Sequence, residues 1–342
     1  MGLVPQVILI LLFLKEKIST PRLISKYYTD RTSNRINKTY NMTIPYDWSD
    51  TAKRFENRLS QKRKACKNYK FQKILKPNLY YILDIPRRYL MCAPFKAGSS
   101  SWHKTFWAMR RQRANLSMDS QYFTHGDWQG NQGSSFHLSD GNRINIIKSV
   151  HGDDNFNENP PNGSSFRLIL TRHPFARFIS GWHQKFHNTD NYYWRQLYKK
   201  FRNLKLYTKK LDKTHVMAFE DFATYAADNP KVMKTLDGHF IPISTLCKPC
   251  SLDFVYILKA ESADVDEPWL KRRLGMEDIN VLRHGIGPGG SVINENPRTN
   301  IKKYISTLRP NVIAKLYEIY EQDFTIFGYT FNFTTLEAGG FE

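Results

Sequence analysis

Two short stretches of this chain assemble the residue types that hold anions. The first is Cys92-Ala-Pro-Phe-Lys96-Ala97-Gly98-Ser99-Ser100-Ser101-Trp102, small residues and hydroxyls around one lysine, set between an apolar run and a helical pattern. A loop of this kind lets backbone N–H groups and the N-terminus of the next helix surround a phosphate. Lys96 is placed to stabilise charge on a departing bridging oxygen. The Gly-Lys-Ser order of a P-loop nucleoside triphosphatase is missing, and read alone the stretch is equally an ordinary tight turn. The second runs from Arg167 to Trp182 and contains Arg172-His-Pro174-Phe-Ala-Arg177-Phe-Ile-Ser180. It puts Arg172 at the end of a predicted strand and Ser180 about two turns into the following helix, so that both reach one anion at the carboxyl edge of a sheet. That is the arrangement a second phosphate requires.

The cysteines suggest support rather than chemistry. Cys247 and Cys250 are spaced as a redox pair or half a zinc site would be, but no thioredoxin-like pattern begins with them and no second Cys/His pair follows at zinc-finger spacing. No metal site is expected, and structural disulfides are. The four cysteines, Cys66, Cys92, Cys247 and Cys250, allow three pairings.

These residues need elements that carry strand ends to one place. Residues 89–93 read as a buried strand and 102–111 as a helix; 166–171 and a helix from Pro174 to about residue 186 repeat the arrangement. Two strand-loop-helix units predict an α/β fold with a central parallel sheet flanked by helices. Residues 145–150 and 254–258 are further candidate strands, and 219–227, 264–274 and 310–324 have helical spacing. The aromatics Trp102, Trp107 and Tyr192-Tyr193-Trp194 can stack a sugar or adenine, although packing is the expected role for most of them.

Hydrophobic residues at 41% and aromatics at 14% exclude a disordered or fibrous chain. Lys and Arg outnumber acids 51 to 31, a formal charge of +20 over 342 residues, which attracts polyanions: nucleic acid, anionic membrane or acidic polysaccharide. Residues 3–14 are nearly all apolar and are followed by Lys15 and Lys17, so 1–18 reads as a signal peptide or a short signal anchor. The run is shorter than the roughly 17 to 25 residues of a spanning helix, and the flanking charges oppose a type II anchor, so cleavage stays open. Glycosylation sequons begin at Asn37, Asn41, Asn115, Asn162 and Asn332, as suits a secretory chain. With that leader, and with no finger, homeodomain or RNP pattern, nucleic acid is not the expected partner. Residues 19–84 read as a polar stem ending in one amphipathic helix, whose many cations over 51–70 are expected to form a solvated face. Residues 85–335 read as the globular domain.

Taken together, the two anion-binding stretches resemble the Golgi carbohydrate sulfotransferases of the group containing the chondroitin and dermatan 4-O-sulfotransferases and the HNK-1 sulfotransferase. The likeness continues through Phe219-Glu-Asp-Phe222, His239-Phe-Ile-Pro242 before Cys247, and Leu316-Tyr317 to Tyr329, covering about 87–331. The resemblance implies a P-loop-like sulfotransferase fold and transfer of a sulfuryl group from 3′-phosphoadenylyl sulfate (PAPS) to a glycan hydroxyl, with chondroitin or dermatan 4-O favoured. It implies that Lys96, Ala97, Gly98, Ser99, Ser100, Ser101 and Trp102 bind the 5′-phosphosulfate and that Arg172 and Ser180 bind the 3′-phosphate. His239 is the implied general base, with His151 the alternative. A glycan or proteoglycan acceptor, a Golgi membrane location with a lumenal catalytic domain, or secretion after cleavage, follow from the same resemblance. Two residues depart from the family pattern: Phe95 intervenes between Pro94 and Lys96, shifting the loop, and His173 stands where Asp is usual, altering charge beside the 3′-phosphate. These departures keep open a second expectation, an inactive secreted relative that binds polyanionic glycans.

Overall fold

Runs of aliphatic and aromatic residues pair at the centre of the molecule in a computed structural model, which describes residues 47–69, 81–84, 89–113, 115, 166–187, 217–233, 237–279 and 297–342. The strands β1 (Tyr81–Asp84), β2 (Tyr89–Cys92), β3 (Phe166–Thr171) and β4 (Tyr256–Lys259) lie in the order β1-β2-β3-β4. β2, β3 and β4 are mutually parallel, and β1 is antiparallel to β2. The last of these begins two residues later than its apolar run suggested, and the candidate strand at 145–150 lies outside the described residues.

Among the described residues the α-helices, in chain order, are α1 (Ser49–Cys66), α2 (Ser99–Arg113), α3 (Pro174–Trp182), α4 (Phe219–Asp228), α5 (Pro230–Met233), α6 (Ile243–Cys247), α7 (Ala263–Arg273), α8 (Pro297–Ile305) and α9 (Pro310–Phe327). A small ribbon of β5 (Thr330–Asn332) and β6 (Glu337–Gly339) follows. Side chains alternate across the sheet, as the two-residue period of a strand demands. Leu90, Cys92, Ile169 and Ile257 join one core with Phe175, Phe178, Phe222, Leu316 and Tyr320, from α3, α4 and α9. Met91, Leu168, Leu170 and Leu258 join the other with Trp102, Phe106, Trp269 and Leu270, from α2 and α7. Both faces of the parallel sheet are therefore covered, as its burial requires.

Local signals start and stop the longest of these helices. α9 opens on Pro310, whose fixed φ suits a first turn, and buries Val312, Ile313, Leu316, Tyr320, Phe324 and Phe327 at helical spacing. Gly328, at φ 66, ends it by letting the Tyr329 N–H donate back to the Phe324 carbonyl at 3.0 Å.

The basic helix α1 departs from expectation. Thr51, Phe55, Arg58, Lys62 and Ala65 form a buried stripe rather than a solvated face; Lys53, Glu56, Ser60 and Lys64 on the opposite side are exposed. Phe55 stacks on Trp269 at 4.7 Å between ring centroids. Arg58 donates to the Ile257 carbonyl at 3.1 Å and to Ser262 Oγ at 2.9 Å, and pairs with Asp266 at 2.8 Å. Lys62 donates to Asp253 and to the Phe254 carbonyl, each at 2.8 Å. Cation stems lie over apolar surface while their heads reach acceptors beyond it, and a Cys66–Cys250 disulfide secures the end of the helix. The last part of the segment expected as a stem thus packs along β4.

Arg58→Met is predicted to destabilise the chain by about 1.5 to 3 kcal/mol, because it removes charge-assisted hydrogen bonds to buried acceptors while Arg54 keeps Asp266 paired at 2.8 Å. Urea unfolding of the variant is the measurement, and an unchanged midpoint would show that α1 contributes little to the fold.

Candidate functional site

The small-residue loop occupies the carboxyl end of β2. Lys96 and Gly98 both take positive φ, 68° and 93°, a region that disfavours side chains and clusters at ligand sites. This reversal lets α2 begin at Ser99, three residues earlier than its apolar spacing indicated, with the Trp102 N–H closing the first turn on the Gly98 carbonyl at 3.2 Å. Ser99, Ser100 and Ser101 are consequently first-turn residues, whose N–H groups have no carbonyl inside the helix and suit an anion. Trp102 follows them with its ring buried in the core and its indole Nε1–H donating to Glu267 at 3.1 Å.

Arg172 follows the last residue of β3 and donates from Nη1 to the Lys96 carbonyl at 3.1 Å, joining the two predicted anion-binding stretches directly. Glu261 stands behind it, accepting the His173 N–H at 2.7 Å and the Tyr329 hydroxyl at 3.1 Å. Burial lowers the Arg172 pKa, opposed by the Glu261 charge. Ser180 is the one residue of α3 that is not buried.

His173 brings no charge of its own to this site. It is fully buried, with Phe175, Phe324, Tyr329 and Phe341 edge-on around it. Nε2 lies 3.2 Å from the Thr330 carbonyl, and burial pushes the pKa down to about 3, so the ring is neutral near pH 7.

Arg177 knits the site together. This buried guanidinium donates to the carbonyls of Phe95 at 2.9 Å, Ile241 at 2.8 Å and Gly238 at 2.5 Å. The turn at 237–241 that it grips carries His239, whose Nδ1 and backbone N–H meet Asp237 Oδ1 at 2.5 and 2.8 Å. Other groups hold the same turn: Tyr320 donates to the Phe240 carbonyl at 2.5 Å, and Asp323 accepts the Ile243 and Ser244 N–H groups at 2.7 Å each. Gly181 matters for a related reason, since a Cβ there would approach Phe240 to 2.9 Å and the His239 carbonyl to 3.3 Å. The disulfide Cys92–Cys247 fastens the start of the loop to the segment after the turn. Phe95, the residue inserted before Lys96, stacks on the His239 ring at 4.3 Å.

Cations gather where these segments meet. Lys96 Nζ donates to Gln184 Oε1 at 3.2 Å; burial, then the charges of Arg172 and Lys185, bring its pKa down to about 8. Burial brings His239 to about 4 against the opposing pull of Asp237, leaving a neutral imidazole at pH 7. The arrangement offers fixed cations and helix N–H groups to an anion beside a neutral base oriented by a carboxylate. Arg177 stood in the second run without a role assigned to it, and Gln184, Lys185, Asp237 and Glu261 were not singled out from the sequence; of these four, Asp237, two residues before a histidine, carried a local signal. His151 and Tyr192-Tyr193-Trp194 lie outside the described residues.

A model of the sulfotransferase family matches residues 81–330, nearly three quarters of the chain. The chain belongs to the sulfotransferase family. Among curated relatives, this sulfotransferase-family chain is 25% identical to carbohydrate sulfotransferase 10 of Rattus norvegicus over 284 residues, 80% of this chain and 74% of the relative. It is 30% identical to carbohydrate sulfotransferase 10 of Gallus gallus over 176 residues, 48% of this chain and 46% of the relative. It is 25% identical to carbohydrate sulfotransferase 14 of Danio rerio over 176 residues, 50% and 46% of the respective chains. No solved structure matches it. These names carry the carbohydrate sulfotransferase likeness but not the narrower chondroitin 4-O grouping.

Two of the buried histidines, His173 and His239, have a consequence for stability. Their folded pKa values, about 3 and 4, lie below the ordinary value of 6.5, so the unfolded chain binds more protons and stability falls as pH drops below 6.5. The slope is up to about 1.4 kcal/mol per pH unit for each histidine. His173→Gln should lessen the loss between pH 6.5 and 5 in urea melts; an unchanged slope would mean that His173 is charged in the fold.

Proposed function

We propose that the chain transfers the sulfuryl group of PAPS to a glycan hydroxyl, with a chondroitin- or dermatan-type acceptor and its 4-O position favoured by resemblance. The observation that carries this reading is the 3.1 Å bond from Arg172 to the Lys96 carbonyl, which brings two strand-end cation sites within reach of one ligand with two anionic groups. Lys96, the small-residue loop and the first turn of α2 suit the 5′-phosphosulfate; Arg172 and Ser180 suit the 3′-phosphate. These placements extend the P-loop-like reading of the fold, with residues 85–335 as the catalytic domain joined by α1.

PAPS supplies an activated sulfuryl group when bound, and the chain supplies position and charge. His239, held through Nδ1 by Asp237, presents Nε2 and takes the proton of the acceptor hydroxyl as its oxygen bonds to sulfur. Lys96 neutralises the bridging oxygen, which keeps the electron pair of the sulfur–oxygen bond that breaks. The excess of Lys and Arg supports an acidic acceptor. An inactive glycan-binding relative is less well supported, because Phe95 packs on His239 and His173 is neutral and buried. Labelled-PAPS turnover across a glycan panel, with disaccharide analysis, tests the activity and names the acceptor; no transfer to any glycan would overturn it.

Arg172→Ala is predicted to weaken binding of PAP, the desulfated donor, by roughly ten- to a hundredfold through loss of charge-assisted hydrogen bonds. Lys96→Ala is predicted to slow single-turnover transfer by about two to three orders of magnitude with a smaller change in PAP affinity. Calorimetry and rapid quench separate the two roles. Normal PAP binding in the first, or parental turnover in the second, would remove that assignment.

The leader and sequons support passage through the secretory pathway, either as a Golgi membrane protein through residues 1–18 or as a secreted chain. Asn115 and Asn332 are exposed, and the proposed glycosylation also includes Asn37, Asn41 and Asn162, which lie outside the described residues. N-glycosidase treatment of the cell-expressed protein should increase its gel mobility. An unshifted band, beside a control that shifts, would count against lumenal residence.

A further inference from the structure

Arg172 is held on both sides by its chain neighbours, and one pair of side chains holds them both. Thr171 and His173 are fully buried. Glu261, on the turn that follows β4, accepts the His173 N–H through Oε1 at 2.7 Å and the Tyr329 hydroxyl through Oε2 at 3.1 Å. The same hydroxyl lies 3.2 Å from Thr171 Oγ1. Burial raises the Tyr329 pKa well above its ordinary value, so the phenol keeps the one proton that it offers to the carboxylate. Thr171 is then the donor on its side, sharing its hydrogen between Tyr329 and the Leu258 carbonyl at 3.3 Å. The order Thr171, Tyr329, Glu261, His173 closes a hydrogen-bonded ring around the backbone of Arg172.

Other groups brace this ring. Lys259 Nζ lies over the face of Tyr329, 4.6 Å from the ring centroid, and donates to the Gly340 carbonyl at 2.5 Å. The His173 ring packs edge-on to Tyr329 at 5.4 Å, with Nε2 donating to the Thr330 carbonyl at 3.2 Å. Arg172 itself sends Nη1 to the Lys96 carbonyl, so its backbone is fixed at one end and its guanidinium at the other. A guanidinium grips phosphate through a planar fork, and the fork contributes most when it is aimed before the ligand arrives. We propose that Tyr329 and Glu261 are positioning residues for Arg172, aiming its fork at the 3′-phosphate of the donor through hydrogen bonds to both neighbouring residues. Neither is assigned a contact with the nucleotide. The proposal rests on the reading of the chain as PAPS-dependent.

A positioning role differs from packing and from charge balance in what it does to one phosphate. PAP and adenosine 5′-phosphate differ only in the 3′-phosphate, so the ratio of their affinities isolates that group. Calorimetry, by competition for the weaker ligand, reads both affinities on wild type, Tyr329→Phe and Glu261→Gln, with a thermal melt for each protein. Tyr329→Phe deletes one oxygen and keeps the ring. It is expected to weaken PAP about fivefold, and Glu261→Gln about tenfold, while adenosine 5′-phosphate changes less than about twofold in each. Charge balance alone predicts the opposite for Glu261→Gln, tighter PAP binding, because a negative charge near the phosphate is removed. In an Arg172→Ala background, where no fork remains to be aimed, Tyr329→Phe should change PAP affinity less than about twofold. Equal losses for the two nucleotides, no loss, tighter PAP binding by Glu261→Gln, an undiminished effect of Tyr329→Phe without Arg172, or failure of both variants to fold would overturn the proposal and assign the pair to the framework. A wild-type chain that bound PAP no more tightly than adenosine 5′-phosphate would instead overturn the PAPS reading itself, so the two failures are distinguishable.

Discussion

One buried guanidinium sets the geometry on which the site depends. Arg177 sits inside α3 with 1% of its surface exposed, and its hydrogen bonds reach carbonyls of two segments distant in sequence, the loop at Phe95 and the turn at Gly238 and Ile241. Burying a charge is expensive unless its donors are satisfied, and these acceptors are fixed backbone groups rather than mobile side chains. The loop, the turn and α3 therefore find their lowest energy only when all three are docked. The Cys92–Cys247 disulfide ties the same two segments covalently across a separation of 155 residues, a closure that stabilises by about 5 kcal/mol in the chain-entropy account. Two independent devices converge on one juxtaposition, so the site is held before any ligand arrives.

That rigidity matters because the site gathers like charges. Lys96, Arg172 and Lys185 are brought together partly away from water, and each has its pKa lowered mainly by burial. A flexible site would relieve such crowding by turning its lysines outward. With the loop reversed at Lys96 and Gly98 and clamped by Arg177, part of the relief comes from Glu261 near Arg172 and Asp237 near Lys185. The neutral His239 beside these cations fits the same logic, since a protonated imidazole there would add another positive charge.

The two residues that depart from the family pattern acquire physical explanations in three dimensions. Phe95 lengthens the loop by one residue, and that residue covers the His239 ring while its carbonyl takes one arm of Arg177. His173 points into an aromatic nest instead of toward the anion site, and the backbone N–H beside it is the group that engages Glu261. Charge behind Arg172 is thus supplied by Glu261, from the segment after β4.

The order of small residues, hydroxyls and cations at two predicted strand ends marked the candidate site, because a strand followed by a helix opens its loop at the carboxyl edge whatever surrounds it. Apolar periodicity likewise determined β2, β3, α4, α7 and α9 to within a few residues. Tertiary structure decided what depends on distant partners. The start of α2 at Ser99 follows from the positive φ of Gly98, which a run of serines does not announce. The burial of Arg58 and Lys62 follows from Asp253 and Asp266, roughly two hundred positions further along, so the basic face of α1 looked solvated when read locally. The cysteine pairing, the union of Asp237 with His239 beside Phe95, and the gathering of Lys96, Arg172 and Lys185 all arise where separate segments meet. Sequence spacing encodes which groups are present on each element, whereas only packing brings their atoms to bonding distance.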